Sequence, residues 1–194
     1  MTDRNPDHAI LPIFTDRWSP RAFDPRPLDK GTLLSLFEAA RWSPSSLNIQ
    51  PWRFAYALRG DEHWDAYVAS LLPGNQLWAQ NASALVFVLS DTMMEYQGAE
   101  RPSHSHSFDA GAAWMALALQ ATSLGLVTHG MAGVDFDQAR SVTGAPDRYR
   151  IEAAIAIGYP GDKAALPEAL QQREAPSDRR PLDDSIFHGT VKSA

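Results

Sequence analysis

The feature that most constrains the fold is a run of six apolar residues, Ala-Leu-Val-Phe-Val-Leu, at positions 84–89. Strands with one face in water alternate polar and apolar residues, whereas an unbroken apolar run of this length is typical of a strand covered on both faces. Such a strand must lie inside a layered fold. The chain has 194 residues and 44% hydrophobic content, enough for those layers in one domain of ordinary size.

Predicted helices and strands alternate around this run. Residues 52–58 and 151–159 are predicted to be strands, and the glycine-rich residues 126–133 a strand or an extended segment. Asp29 is a plausible N-cap for a helix that follows it. The longest predicted helix, residues 108–124, is apolar on most faces, which predicts burial in a core or an interface. Shorter helices are predicted over residues 7–14, 61–72, 75–81 and 136–142.

Composition excludes several classes of function. Cysteine is absent, so disulfides, thiolate zinc sites and a cysteine nucleophile are excluded. The net charge of −6 gives no electrostatic reason to expect nucleic acid or an anionic membrane as a partner. The first eight residues are polar, and no apolar run approaches the ~20 residues of a membrane helix. We therefore expect a cytoplasmic protein with a single domain over residues 1–194. Its polar C-terminal arm, about residues 175–194, is either disordered or laid across another surface.

Residues 43–52, Ser-Pro-Ser-Ser-Leu-Asn-Ile-Gln-Pro-Trp, form the most informative motif. Pro44 and Pro51 lock φ and cannot donate a hydrogen bond, so they end the preceding helix. The side chains between them that both donate and accept hydrogen bonds, as a polar planar ligand requires, are Ser45, Ser46, Asn48 and Gln50. A hydrated helix-to-strand turn has the same composition, so the motif alone leaves both interpretations open.

Two arginine motifs flank this segment in the sequence. Residues 17–21, Arg-Trp-Ser-Pro-Arg, hold two guanidinium groups and a hydroxyl, which are donors suited to a phosphate. Arg179 and Arg180 form a basic pair in the C-terminal arm. Each motif alone is more simply explained by solvated surface arginines.

Taken in this order, the three motifs resemble the nitroreductase family of flavoproteins, and the resemblance extends over nearly the whole chain. It implies an α+β fold with a central mixed, mostly antiparallel sheet flanked by helices. It also implies an intertwined homodimer that binds FMN non-covalently at its interface. The implied activity is FMN-dependent transfer of hydride from NAD(P)H, through flavin N5, to a nitroaromatic or quinone-type acceptor by a ping-pong mechanism.

The resemblance also assigns residues to the cofactor. Those expected at the FMN phosphate are Arg17, Trp18, Ser19, Arg179 and Arg180. Arg21 is expected at the pyrimidine edge of the flavin, where a fixed positive charge stabilises the reduced form. The remaining expected contacts are Pro44, Ser45, Ser46, Asn48, Gln50, Asn75, Ala132 and Gly133. Some family members carry Glu where this chain has Ala132, so only a backbone contact is expected there. No side chain is expected to act as a catalytic acid or base, because the flavin carries the chemistry.

Other interpretations remain open. They are a family branch of dehalogenase or dehydrogenase type, a flavin-binding or sensory module without turnover, and an α+β protein without flavin. His104 and His106 have a metal-binding spacing but no evident third ligand, so we expect a solvated loop and no metal site. Asp135 and Asp137 are interpreted as N-cap and first-turn residues of a short helix. Residues 91–107 are polar and irregular, and we expect them to cover the flavin and to influence substrate choice.

Overall fold

The fold is built on one five-stranded antiparallel sheet, as seen in a computed structural model that describes residues 4–191. Its strands are β1 (Phe23–Asp24), β2 (Trp52–Leu58), β3 (Ala84–Asp91), β6 (Val127–Met131) and β7 (Tyr149–Pro160). The strand order is β1-β7-β3-β2, and β6 pairs with β7 beside β1. Two further strands, β4 (Met93–Tyr96) and β5 (Ala99–Pro102), form a separate hairpin. The predicted α+β class with a largely antiparallel sheet is confirmed.

Strand β3 is the centre of the molecule, and all eight of its residues are buried. Its alternate side chains enter different cores, as the period of two in a strand requires. Ala84, Val86 and Val88 belong to one core, and Leu85, Phe87 and Leu89 belong to the other. The prediction of a strand covered on both faces is confirmed.

Helices cover both faces of the sheet. They are α1 (Ile13–Asp16), α2 (Lys30–Arg41), α3 (Trp64–Ala69), α4 (Pro73–Ala79), α5 (His106–Ser123), α6 (Phe136–Thr143) and α7 (Glu168–Gln171). Helices α2 and α5 pack on the face of Val86, and α3, α4 and α6 pack on the face of Phe87. The predicted caps at Asp29 and Asp135 are confirmed, since each carboxylate accepts from a backbone N–H three residues on, at 2.9 and 3.0 Å. No helix among residues 4–191 combines the length and apolar character that crossing a membrane requires.

Local predictions were wrong where a proline or a carboxylate had another role. The first helix follows Pro12 instead of spanning residues 7–14. Asp61 does not begin α3, because its carboxylate closes a turn by accepting from the N–H groups of Leu58 and His63 at 2.7 and 2.9 Å. Pro73 opens α4 rather than ending α3, since the first helical turn does not need its missing N–H.

The prediction that residues 91–107 are irregular is wrong. They contain the β4–β5 hairpin, which turns at Gln97 and Gly98 with φ of 53° and 75°. Two consecutive residues with positive φ are the mark of the tight turn that best matches strand twist. The C-terminal arm is mostly exposed and contains one 3-10 turn at Leu182–Asp184. Its last part, residues 192–194, lies outside the described residues.

Candidate active site

A cationic cavity of about 350 Å³ lies beside β6, between the 17–21 segment and the C-terminal arm. Its lining residues are Arg4, Arg17, Trp18, Ser19, Arg21, His129, Arg173, Ala175, Ser177 and Arg179. The cavity is assembled by Arg4, which donates to the carbonyls of Thr15, Arg17 and Ser177 at 2.8, 2.9 and 3.1 Å. One side chain therefore joins the N-terminal segment, the 17–21 segment and the arm.

Three of the arginines that line this cavity have no carboxylate in an ion pair with them among residues 4–191. Burial and the neighbouring charge of Arg179 lower the pKa of Arg17, and Arg4 adds to the effect. The pKa of Arg4 is lowered by burial and by Arg179, against an opposing effect of Asp178. Within residues 4–191, Arg4, Arg17 and Arg179 form no ion pair with a carboxylate. Three guanidinium groups that repel one another around an open cavity form a site suited to an anion with several oxygen acceptors, such as a phosphate.

Ser19 adds a hydroxyl to this group. Its Oγ accepts from Arg17 Nη1 at 3.3 Å, which leaves the hydroxyl hydrogen able to point into the cavity. Arg179 is exposed, and within the described part of the chain it donates only to the Ser177 and Asp178 groups beside it. Arg180 lines a second, larger cavity of about 660 Å³, which shares Arg4, Ser177 and Arg179 with the first. The structure thus brings Arg17, Trp18, Ser19 and Arg179 together and places Arg180 in the adjoining cavity.

His129 forms the inner end of the cavity. Its Nδ1 donates to the Pro20 carbonyl at 2.8 Å, and its ring lies against Trp78 with 4.5 Å between centroids. Burial lowers the pKa of His129, the hydrogen bond to Pro20 opposes this, and Arg21 and Arg17 lower it further. A neutral imidazole with Nδ1 protonated therefore leaves Nε2 as an acceptor.

Asn75 and Gly133, both predicted cofactor contacts, touch each other near the end of β6. Asn75 Nδ2 donates to the Gly133 carbonyl at 3.0 Å. A Cβ on residue 133 would lie 2.5 Å from that nitrogen, so only glycine allows this approach. Ala132 beside it is exposed, and its carbonyl accepts from the Val134 N–H at 3.0 Å.

The 43–52 loop is held in a strained conformation. Leu47, Asn48 and Gln50 have φ of 51°, 55° and 53°, a region that non-glycine residues rarely occupy and that costs about 1–3 kcal/mol each. Ser45 Oγ stabilises the loop by accepting from Gln50 N at 2.9 Å. The buried Asp109 of α5 accepts from Ser46 N at 3.2 Å and so joins the loop to the helix. The outward side chains, including Pro44, Ser46 and Asn48, are exposed.

Within one chain, this loop is far from the cationic cavity. The backbones of Trp52 and His129 are three strand-to-strand steps apart, or about 14 Å across the sheet. In the register of the sheet, Trp52 aligns with Arg150 of β7, and His129 aligns with Ala156 of the same strand. The separation of Arg150 from Ala156 adds about 20 Å along the strands. One chain therefore does not bring Ser45, Asn48 or Gln50 to the cavity.

The prediction that His104 and His106 lie in a solvated loop is wrong for His106. His104 is exposed, but His106 begins α5, and its Nδ1 lies 2.7 Å from Ser90 Oγ. Glu152 Oε1 lies 3.6 Å from the same nitrogen and accepts from Ser90 and Ser107. In the part of the chain that the structure describes, no three His, Asp or Glu residues form a metal-binding group.

Sequence reasoning missed Arg4, Arg173 and Glu174. A lone arginine in a polar N-terminal segment carries no pattern, and neither does a single carboxylate ahead of the arm. Only the packing of the two terminal segments against residues 17–21 shows their relation to the cavity.

Known proteins share the sequence pattern and the fold of this chain. The model of the nitroreductase family matches residues 14–72 and 61–159. A solved structure described as an oxidoreductase containing FMN is 46% identical, with a TM-score of 0.96 over 100% of this chain and 98% of that chain. A nitroreductase family protein from Streptococcus pneumoniae TIGR4 is 22% identical, covers 91% of this chain and 98% of its own, and shares the fold with a TM-score of 0.73. A Thermus thermophilus protein named NADH dehydrogenase is 28% identical over 92% of this chain and 98% of its own length. The chain belongs to the nitroreductase family.

Proposed function

We propose that this protein binds FMN in the cationic cavity and uses it to transfer reducing equivalents from NAD(P)H to a small acceptor of the nitroaromatic or quinone type. The observation that carries the proposal is the group of Arg4, Arg17 and Arg179, which form no ion pair with a carboxylate within residues 4–191 and surround a cavity. A similar protein of known structure is described as an oxidoreductase containing FMN, and a relative is named NADH dehydrogenase.

The residues around the cavity fit the parts of FMN. Arg17, Ser19 and Arg179 supply guanidinium and hydroxyl donors for the phosphate. Arg21, farther along the same segment, would stand at the pyrimidine edge, and the Asn75–Gly133 pair would offer backbone and amide groups nearby. When bound, FMN would accept a hydride and pass reducing equivalents on, so the protein binds, orients and tunes it.

We further propose that the active unit is a homodimer. The site residues of the 43–52 loop lie about 24 Å diagonally across the sheet from His129, by the spacings of strands and residues. A second copy would bring its loop to the cavity of the first. Apolar side chains remain uncovered on one chain, with Trp42 75%, Leu47 66% and Phe108 82% exposed, and a second copy would cover them.

A spectroscopic experiment tests the proposed activity. Purified protein, supplied with FMN, should be yellow and should bleach on anaerobic addition of NADH or NADPH, then recover its colour when a quinone is added. A colourless protein that takes up no FMN would refute the proposal. Flavin that binds but is bleached by neither nucleotide would instead indicate a binding or sensory module.

A second experiment tests the shared site. Arg17→Gln and the double change Asn48→Ala with Gln50→Ala should each lose FMN, because each removes one half of the site. Mixed dimers of the two variants would keep one intact site and should regain FMN at half of the wild-type amount. A monomeric mass in solution, or no recovery on mixing, would contradict the dimer proposal.

A further inference from the structure

Glu174, just before the C-terminal arm, is a buried carboxylate that holds the Arg21 segment in place. Its side chain is 3% exposed. Oε1 accepts from the backbone N–H groups of Arg21 and Ala22 at 2.7 and 2.8 Å. These contacts span more than 150 positions of sequence and fix the backbone at the point where Arg21 leaves it.

The second oxygen of Glu174 is not used in this way. Oε2 is buried and has no hydrogen-bond partner in the described chain. Its nearest charge is Arg21 Nη1, at 3.8 Å, and the Arg21 side chain is 20% exposed. A carboxylate that is buried with one oxygen unpaired is costly. Because it is buried, its negative charge acts on the groups around it with little screening by solvent.

The groups around Glu174 include positively charged side chains that line the cavity. Arg17, Arg21 and Glu174 all affect the pKa of His129, the two arginines lowering it and Glu174 raising it. Glu174 is therefore a negative charge within electrostatic reach of the cavity. Because Arg21 is its nearest cation, Glu174 reduces most strongly the positive charge that Arg21 presents.

We propose that Glu174 is a positioning residue that fixes Arg21 beside the flavin and partly offsets its charge, and so sets the reduction potential of the site. This inference rests on the proposed function, in which Arg21 faces the pyrimidine edge. A cation there stabilises the negative charge that the flavin gains on reduction. Glu174 weakens this stabilisation, so it keeps the flavin a stronger reductant toward the acceptor.

The test is the midpoint potential of the FMN-loaded protein, measured against a reference dye. In Glu174→Gln, the amide oxygen can still accept from the two backbone N–H groups, but the negative charge is gone. We expect the ratio of affinities for reduced over oxidised FMN to rise about tenfold, which is a shift of about 30 mV to more positive potential for a two-electron couple. Glu174→Asp, which keeps the charge, should stay close to wild type. Glu168→Gln, on the exposed surface of α7, is the matched control and should not shift.

The reduction potentials and FMN contents of these variants either support or overturn the inference. An unchanged or more negative potential in Glu174→Gln that retains FMN would overturn the inference and leave the proposed function standing. If Glu174→Gln loses FMN while Glu174→Asp keeps both FMN and potential, the charge serves to hold FMN and not to set its potential, and the inference is overturned. Loss of FMN from both variants, with equal loss of melting temperature, would show a purely structural role and overturn it. Wild-type protein that takes up no FMN would overturn the proposed function together with this inference.

Discussion

Arg17 offers the sharpest test of the anion site, because its removal should have opposite effects on the empty and the loaded protein. Arg17 is half-buried near the like charges of Arg179 and Arg4, and among residues 4–191 its guanidinium donates only to Ser19. Arg17→Gln removes this repulsion. Exposed charge pairs are worth about 0.2–1 kcal/mol, so the empty variant should be as stable as wild type or more stable by up to about 1 kcal/mol. For a chain of this size, that is a rise in Tm of at most about 4 °C.

In the loaded protein, the same change should weaken binding. A hydrogen bond to a charged group contributes about 1.5–3 kcal/mol, which is roughly a tenfold to somewhat more than a hundredfold increase in the Kd for FMN. Flavin fluorescence titration measures the Kd, and differential scanning fluorimetry without FMN measures the Tm. Lys163→Gln removes one exposed positive charge elsewhere and is the matched control, with both quantities expected at wild-type values.

Either of two results for Arg17→Gln would contradict this prediction. A Kd within twofold of wild type would show that Arg17 does not contact the phosphate. A fall in the Tm of the empty protein by several degrees would show that Arg17 stabilises the fold, and that its charge is not held for a ligand.

Two further predictions concern the neighbourhood of the cavity. Gly133→Ala would place a Cβ 2.5 Å from Asn75 Nδ2 and break its hydrogen bond, so the free energy of unfolding should fall by about 1–2 kcal/mol and the Tm by about 2–8 °C. Gly74→Ala, where the added Cβ meets open space, is the control and should lose no stability. An unchanged Tm for Gly133→Ala would contradict the packing. Because burial holds the pKa of His129 below its unfolded value of about 6.5, the folded state binds fewer protons, and stability should fall as pH drops below about 6.5. His129→Gln should reduce this loss in urea unfolding between about pH 7.5 and 5.5, and an unchanged pH dependence would show that His129 is not held neutral.

Sequence reasoning succeeded for elements that local chemistry determines. Strand β2 has the predicted bounds, and the six-residue apolar run is contained in β3. Both predicted caps form, because a carboxylate before a helix meets free N–H groups whatever surrounds it. The same reasoning failed for the β4–β5 hairpin, whose strands contain no buried residue and so show no alternation of apolar and polar residues.

The candidate site was predicted in its parts but not in its assembly. The Asn75–Gly133 contact and the grouping of Arg17 with Arg179 join residues that the family resemblance had named. Arg4 and Glu174 could not be found in this way. Arg4 bonds to Ser177 and Glu174 bonds to Arg21 from the other end of the chain, and hydrogen bonds between distant segments leave no local pattern.

The sequence by itself determined the layered α+β fold and the irregular polar loop after α2. An apolar strand must be covered on both sides, and two prolines must interrupt a helix, in any tertiary context. Only the tertiary structure decided where the charges meet. Packing of both terminal segments against residues 17–21 places Arg4, Arg17 and Arg179 around one cavity and buries Glu174 beneath Arg21. It also placed the 43–52 loop at the far edge of the sheet, because strand order depends on pairing between segments that lie far apart in the chain.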